Sequence, residues 1–370
     1  MKSLMIYLSQ LMKLPKSYYF YFPVVLLVLL FSASCGGDGS NAESILSKTP
    51  SNLVVNFELK GKDTQNPNGD GSGVLTLQFS ADNATLYKVN FGDGLVVETA
   101  NKSLTFTYTE SGTKTQNIFV SAYNDTKFIS KNLSVTVYVA QKLIWADEFN
   151  LDGLPNSNFW GFDLGTGSGG WGNNEAQYYT DRLENVKVEN GFLKITAKRE
   201  SFSGSAFTSA RIKTQNKFSF KYGRVEIRAK LPEGGGTWPA LWMLGNNINT
   251  AGWPQSGEID IMEHVGNNLG KIFGTLHHPG HSGGNGDSGS VTVSNVSSEF
   301  HIYTVDWTPT SIKFSVDNQV FFTFSNNANL PFNQNFFLII NCAMGGNFGG
   351  NIDPNFTNST FEVDYIRIFS

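Results

Sequence analysis

Short runs of alternating apolar and polar residues, separated by turns rich in glycine and asparagine, recur along most of the chain. Alternation with a period of two is the pattern of a half-buried β-strand. No segment of convincing length after residue 143 shows the helical period, so the pattern predicts an all-β protein. The predicted strands are Leu53–Leu59, Gly73–Phe79, Leu86–Phe91, Ser103–Tyr108, Gln116–Tyr123, Ser134–Val139, Leu193–Lys198, Arg224–Lys230, Ile302–Trp307, Ile312–Val316, Val320–Phe324 and Phe361–Phe369.

The strand pattern divides into two regions. Residues 51–140 carry six short strand runs and predict a small immunoglobulin-like β-sandwich. Residues 143–370 form one longer β-rich region, within the size that single β-domains reach. All seven tryptophans and all five histidines lie after residue 144, which places a domain boundary between the two regions.

The N-terminus has the features of a secretory leader. Lys13 and Lys16 precede an apolar stretch that ends in the small residues 32–34. We therefore expect residues 1–34 to be a lipoprotein signal peptide, Cys35 to be lipidated, and residues 35–50 to form a flexible tether. The alternative is a plain signal peptide or a single membrane anchor with an incidental cysteine, although Pro23 interrupts the apolar run. The expected location is that of an exported, membrane-anchored lipoprotein.

Composition narrows the functional classes. The net charge is −4 and the sequence pI about 5.8, so nothing indicates a nucleic-acid partner. Aromatic residues make up 14% of the chain and charged residues 16%, which favours a secreted β-protein. After lipidation of Cys35, only Cys342 remains, so no intrachain disulfide is expected. We expect a monomer.

The segment Glu258–Glu263 carries three acids at an unusual spacing. A regular strand would place Glu258 and Asp260 on one face and Glu263 on the other. A β-bulge at Ile261 or Met262 would bring Glu263 back to the face of the other two acids. Two glutamates leaning together could approach the separation of about 5–5.5 Å used by retaining glycosidases. A merely solvated acidic strand face and part of a calcium site are the alternatives.

Further motifs resemble laminarinase-like β-1,3-glucanases of glycoside hydrolase family 16. The resemblance extends over residues 143–370 and rests on segments 143–149, 170–180, 209–212, 236–244, 253–264, 345–350 and 363–367. It implies a β-jelly roll sandwich of the concanavalin A-like type with a long cleft. It also implies a retaining mechanism with Glu258 as the nucleophile, Asp260 as its helper and Glu263 as the general acid/base.

The same resemblance, together with the need of sugar rings for flat apolar surfaces, indicates substrate-binding residues. For Trp242 the alternative is core packing, and for the polar residues it is a surface turn. The His277-His278 pair can suggest a metal site, but no third ligand sits at zinc spacing, which favours His277 as a cleft residue. The predicted binding residues are Trp238, Trp242, Trp253, Asn173, Glu175, Arg211 and His277.

Two further features follow from resemblance. Family members often carry a structural Ca²⁺, and Glu148, the Gly191 carbonyl and Asp364 occupy comparable positions; plain surface carboxylates are the alternative. No cofactor is expected for catalysis.

In the first region, segments 89–94 and 106–108 resemble PKD-like modules of secreted glycan-degrading enzymes. The tryptophan usual before the Gly-Asp-Gly turn is absent, and a simple hairpin turn is the alternative.

These observations predict an exported endo-β-1,3-glucanase with a β-glucan polysaccharide as its substrate. Two alternatives remain open. The same fold could act on mixed-linkage glucan or on a marine galactan, since loops such as the glycine-rich Pro279–Ser290 can change the specificity. The chain could also be a non-catalytic glycan-binding lipoprotein, although its three acids are intact.

Overall fold

The computed structural model describes residues 47–92 and 94–370. The predicted signal peptide, Cys35 and the tether up to residue 46 lie outside the described residues. Thr49–Ser370 form one compact unit. Within the described part of the chain, no helix is long and apolar enough to cross a membrane.

Strands dominate the described residues, and the predicted all-β class is confirmed. Helical structure there is limited to α1 (Ile248–Ala251), α2 (Gly346–Gly349) and the short turns Gly170–Asn174, Gly266–Asn268 and Gly283–Asn285. The strands are β1 (Ser51–Leu59), β2 (Val74–Asp82), β3 (Leu86–Asn90), β4 (Val96–Thr99), β5 (Ser103–Thr107), β6 (Gly112–Asn124), β7 (Lys127–Val139), β8 (Leu143–Asp147), β9 (Gly161–Asp163), β10 (Gln177–Tyr179), β11 (Val186–Glu189), β12 (Phe192–Phe202), β13 (Ser205–Ser209), β14 (Arg211–Lys213), β15 (Gly223–Lys230), β16 (Thr237–Gly245), β17 (Glu258–His264), β18 (Lys271–His277), β19 (Asp287–Thr292), β20 (His301–Trp307), β21 (Ser311–Val316), β22 (Gln319–Ser325), β23 (Phe336–Met344) and β24 (Asn358–Phe369).

Strands β1 to β7 form two sheets with their own hydrophobic core. One sheet has the order β1-β2-β5 and the other β4-β3-β6-β7. The residues of the PKD-like motif come together there: Phe91 stacks on Phe106 at 4.1 Å between ring centroids, and the Tyr108 hydroxyl donates to the Phe91 carbonyl at 2.9 Å. These contacts give the motif residues a packing role. The PKD-like identity and the boundary at residue 140 stay predictions.

Strands β8 to β24 form a second sandwich of two larger sheets. The ten-stranded sheet has the path β10-β13-β12-β24-β15-β20-β21-β22, with β11 paired to β12 and β8 to β24. The seven-stranded sheet has the order β19-β18-β17-β16-β23-β14-β9. Buried side chains of both sheets, such as Ile227 and Phe361 from one and Met243 and Leu338 from the other, share one core. This is the face-to-face packing of a β-sandwich, in line with the jelly roll predicted for this region.

The two faces of the seven-stranded sheet differ in chemistry. Alternate residues Leu241, Met243 and Ile259 point into the core. Because side chains alternate along a strand, the residues between them lie on the opposite face, where polar and aromatic residues are joined by a small apolar cluster of Leu244, Phe337 and Ile339. This second face is called the cleft face below; it carries Trp238 and Trp242 of β16 and the acids of β17.

Candidate active site

A β-bulge at Ile261 sets the direction of the three acids. On the β16 side, Trp242 pairs with Asp260 and the neighbouring Leu241 pairs with Met262, so Ile261 is the extra residue. The pairing with β18 shifts at the same place, between Asp260 and Glu263. The predicted bulge is therefore confirmed. It buries both Ile261 and Met262 and keeps Glu263 on the cleft face.

An indole N–H group holds each of the two outer acids. Trp253 donates through Nε1 to Glu258 Oε2 at 2.9 Å, and Trp238 donates through Nε1 to Glu263 Oε1 at 3.0 Å. Asp260 lies between them and is almost fully buried. The arrangement fixes two carboxyl groups that face the same cleft and leaves the third enclosed.

Burial raises the pKa of all three acids. The pKa of Glu258 rises to about 8, chiefly because the carboxyl is removed from water and then because Asp260 is close. The pKa values of Asp260 and Glu263 are also raised, again chiefly by burial. The indole N–H groups act in the opposite direction, since a bond to the ionised form lowers the pKa. The site therefore resists carrying three negative charges.

His277 and Thr275 of β18 complete the polar wall beside the acids. His277 Nε2 lies 3.3 Å from Asp260 Oδ2 and 3.9 Å from Glu258 Oε1. The Thr275 hydroxyl donates to Glu263 Oε2 at 3.4 Å. The structure thus brings the predicted cleft histidine to the acids. Thr275 was missed, because a threonine in a strand carries no sequence signal of its own.

Trp253 is the most exposed of the candidate sugar platforms. Its side chain is 46% exposed, and its ring centroid lies 5.8 Å from that of His277. Trp238 is partly buried and packs edge-to-face against Phe348 at 5.5 Å. An exposed indole next to the acids offers a flat apolar surface of the kind that binds a pyranose face.

Trp242 combines core packing with a polar contact. Its ring packs on a small apolar cluster that includes Ile339. Its Nε1 donates to Asn341 Oδ1 at 2.8 Å, and the Arg211 guanidinium lies 4.7 Å from its ring centroid. The same guanidinium lies 4.7 Å from the Trp171 ring, so Arg211 is sandwiched between two indoles. Trp242 thus lies on the cleft face and also supports the sheet.

A hydrogen-bonded chain continues from Trp242 to Glu175. Asn341 donates through Nδ2 to the Tyr179 hydroxyl at 3.0 Å, and that hydroxyl donates to Glu175 Oε2 at 3.0 Å. Asn173 donates through Nδ2 to Glu175 Oε1 at 3.4 Å. Asn341 and Tyr179 were not predicted as site residues. Asn341 lies in the apolar strand β23 and Tyr179 in the distant strand β10, so their polar link is visible only once the sheets are formed.

Each of the two predicted calcium-binding carboxylates is paired with an arginine. Glu148 accepts two hydrogen bonds from Arg367, at 2.8 and 2.9 Å, and Asp364 is ion-paired with Arg228. Calcium needs six to eight oxygen ligands, whereas a guanidinium already occupies each of these carboxylates. Gly191 lies in the turn between β11 and β12 at φ +80°. The calcium site stays a prediction, and no step below depends on it.

The sequence and the fold agree with known proteins over the second sandwich. Residues 173–367 match the family described as glycosyl hydrolases family 16. The chain is similar to a beta-glucanase of Rhodothermus marinus, with 43% identity over 244 residues, 62% of this chain and 85% of that protein. It is also similar to glucan endo-1,3-beta-glucosidase A1 of Niallia circulans, with 39% identity over 256 residues, 61% of this chain but 37% of that protein. The X-ray structure of the laminarinase from Rhodothermus marinus matches with a TM-score of 0.59 at 44% identity, covering 62% of this chain and 97% of that one.

Proposed function

The chain belongs to glycosyl hydrolases family 16 and is a glycoside hydrolase, and on that premise we propose that it is a retaining endo-β-1,3-glucanase. The observation that carries the proposal is the cleft face of β17, where Glu258 and Glu263 each accept an indole N–H bond on either side of the buried Asp260. Its relatives, a laminarinase and a glucan endo-1,3-beta-glucosidase, support a β-1,3-glucan as the substrate.

Double displacement divides the reaction between the two glutamates. Glu258, in its ionised form, attacks the anomeric carbon, and the bond to the leaving oxygen breaks as Glu263 gives that oxygen its proton. In the second step Glu263 takes a proton from water, the water oxygen bonds to the anomeric carbon, and Glu258 leaves as a carboxylate. One proton is thus needed on Glu263 and none on Glu258. The raised pKa of Glu263 supports its role as the acid.

Asp260 and His277 tune the charge on Glu258. Asp260 raises the pKa of Glu258, and His277 lowers it. Because the three carboxyls are crowded and buried, their protons belong to the set rather than to one residue. We infer that a proton held by Asp260 lets Glu258 ionise when the sugar is bound. Sugar rings on either side of the scissile bond would stack on Trp253 and Trp238.

Activity on laminarin, with product profiles on lichenan and agarose, tests the proposal. Glu258→Gln should release no sugar, and Glu263→Gln should lose about 10²–10⁴-fold in kcat. Glu362→Gln is the matched control, because Glu362 lies on the outer face of the ten-stranded sheet beside Lys230. Equal sugar release by wild type and Glu258→Gln would refute the mechanism. Release from lichenan or agarose alone would reassign the substrate, and binding without release by wild type would indicate a lectin.

Azide rescue distinguishes the two glutamates. In Glu258→Ala, azide enters from the side of the missing nucleophile and gives a glycosyl azide of inverted configuration. In Glu263→Ala, azide replaces water in the second step and gives the retained configuration. NMR of the products formed from an aryl glucoside with a good leaving group reads the configuration directly. The same configuration from both variants would contradict the assigned roles.

We also propose that the protein is exported and anchored by a lipid on Cys35, and that residues 51–140 are a PKD-like spacer. The residues Ser32-Ala33-Ser34 before the cysteine support the anchor. Radiolabelled palmitate should be incorporated by wild type and by Cys342→Ala, and lost in Cys35→Ala; label retained in Cys35→Ala would disprove the anchor.

Limited proteolysis of the full chain tests the spacer. It should cut between the two sandwiches and leave two resistant fragments, and a cut inside residues 51–140 would contradict the spacer.

A further inference from the structure

A tight turn after β18 places two histidines side by side. His278 and His281 exchange both backbone hydrogen bonds, at 2.8 and 2.9 Å, across Pro279 and Gly280. Gly280 has φ +84°, as the third residue of a type II turn requires, and proline suits the second position. The two imidazole rings consequently lie 4.8 Å apart and nearly parallel, with 20° between their planes.

The first residue of β19 brings a carboxylate to the same point. Asp287 pairs with Leu276 in the ladder between β18 and β19. Its Oδ2 lies 2.8 Å from His278 Nε2 and 3.2 Å from His281 Nδ1. The three atoms that could bind a metal all lie within 4.8 Å of one another. Two imidazole nitrogens and one carboxylate oxygen thus converge, although the ligands are separated in sequence by the whole loop 282–286.

We propose that His278, His281 and Asp287 form a binding site for a divalent transition metal, with zinc as the best match. Zinc takes histidine nitrogen at about 2.0–2.1 Å and carboxylate oxygen at about 2.0–2.2 Å, so neighbouring ligand atoms in a tetrahedral site lie about 3.3–3.5 Å apart. The distances of 2.8 and 3.2 Å need only a small outward shift. A hard cation such as calcium, which requires six to eight oxygens, does not fit two nitrogens.

The surroundings provide one ligand that the core holds in place and one that can adjust to the ion. His278 is buried, and its ring packs against Phe324 and Phe332 at 5.9 and 5.7 Å. His281 is about half exposed, with 49% of its side-chain surface accessible. One ligand is therefore held in place by the core, while His281 can adjust to the ion. Water can complete the coordination on the exposed side.

The metal would not contact the acids. It would affect the cleft face by holding the loop 282–286, which lies beside His277. His277 points to the cleft face, whereas the next residue, His278, contacts the core aromatics. A metal bound by His278, His281 and Asp287 would close the loop 282–286 at both ends. This loop lies against His277, since a Cβ atom on Gly286 would come within 2.7 Å of its ring. A bound metal would therefore hold the loop 282–286 in place against His277.

Zinc titration of the full chain, without any histidine tag, tests the proposal by calorimetry and by thermal unfolding. We expect one zinc per chain and a rise in Tm of about 2–4 °C at saturating zinc. Binding should be lost in His281→Gln and in Asp287→Asn. His301→Gln is the matched control, because His301 forms a similar pair with Asp317, at 2.7 Å, that has no third His, Cys, Asp or Glu ligand among the described residues.

A second group, Glu258, Asp260 and His277, could also hold a metal and must be separated from this site. Zinc binding should therefore persist in Glu258→Gln. The proposal is overturned if wild type binds no zinc, if both His281→Gln and Asp287→Asn retain it, or if Glu258→Gln loses it. None of these outcomes depends on glucanase activity, so the site and the proposed function fail independently.

Discussion

The charge state of single carboxyl groups decides what the cleft can do. Glu258 has a pKa raised to about 8 by burial and by Asp260, yet the proposed reaction needs it ionised. Two neighbours lower the pKa of Glu258 and so reduce this conflict: His277 through its electrostatic effect and Trp253 through its N–H bond. Glu263 has a separate indole partner, Trp238. Substituting one indole or the other should consequently change the pKa of one glutamate without changing that of the other.

Trp253→Phe should shift the acid limb of the kcat/KM profile to higher pH. Phenylalanine keeps an apolar ring but cannot donate, so the pKa of Glu258 rises further and less enzyme carries the ionised nucleophile. A lost hydrogen bond to a charged group is worth about 1.5–3 kcal/mol, which predicts a fall of roughly tenfold or more at neutral pH. Kinetics on laminarin between about pH 4 and pH 10 measure the shift.

Trp238→Phe provides the contrast to this variant. It removes the donor to Glu263, whose pKa should rise, so that the general acid stays protonated to higher pH. The alkaline limb should then move upward while the acid limb stays in place. If both variants move the same limb, the roles of the two glutamates have been assigned wrongly.

Among the elements, β17 gains its function from an irregularity. The bulge at Ile261 allows a spacing of five residues between Glu258 and Glu263 while both stay on the cleft face. Removing one residue would leave a spacing of four, which in regular alternation also keeps them on one face. Adding one residue would give a spacing of six on the bulged strand and turn Glu263 toward the core.

Deletion of Ile261 should therefore reduce activity without removing Glu263 from the cleft. A shift of about 1 Å in a catalytic group costs on the order of 10²-fold in rate. Insertion of alanine after Asp260 should abolish activity and lower the free energy of unfolding by about 3 kcal/mol or more, because it buries an unpaired carboxyl. Azide should stimulate neither the deletion variant nor wild type, in contrast to Glu263→Ala. An insertion variant as active as the deletion variant would show that the strand re-registers freely.

The elements also show where prediction from sequence reaches its limit. Strands with one wet face, such as Arg224–Lys230, alternate clearly and were predicted nearly to the residue. Strand β23, Phe336–Met344, was missed, because all nine residues are buried and the run shows no alternation. Its one cleft-facing amide, Asn341, was likewise not predicted as a site residue. The ligands around His281 were missed because a hairpin turn, not a spacing, brings them together.

At the scale of the whole molecule, the hydrophobic core of the second sandwich lies directly behind the acids of the cleft face. Ile259 and Met262 are completely buried behind the acids. The core keeps water away from the acids and so raises their pKa values. The opposite effect holds at His264, whose pKa burial lowers to about 4 and whose Nε2 accepts the Gly270 N–H at 3.1 Å. Folding stability should consequently decline at both ends of the pH scale.

The sign of each effect follows from proton binding. Between pH 4.5 and about 8, folded Glu258 holds a proton that the unfolded chain has released. The contribution of this carboxyl to the free energy of unfolding is therefore complete below pH 4.5 and is lost as the pH rises through about 8. His264 behaves in reverse: between about pH 4 and pH 6.5 the unfolded chain binds the extra proton. The contribution of His264 to the free energy of unfolding is complete above pH 6.5 and is lost as the pH falls through about 4.

Glu258→Gln should therefore raise the free energy of unfolding at pH 9 and leave it nearly unchanged at pH 4. A pKa shift from 4.5 to about 8 corresponds to a difference on the order of 5 kcal/mol. Urea unfolding at a series of pH values measures it, with Glu362→Gln as the control for loss of one charge on the outer face. The gain in the free energy of unfolding caused by Glu258→Gln should grow as the pH rises. An equal gain at pH 4 and pH 9 would mean that packing, and not the charge on the buried nucleophile, limits the stability of the fold.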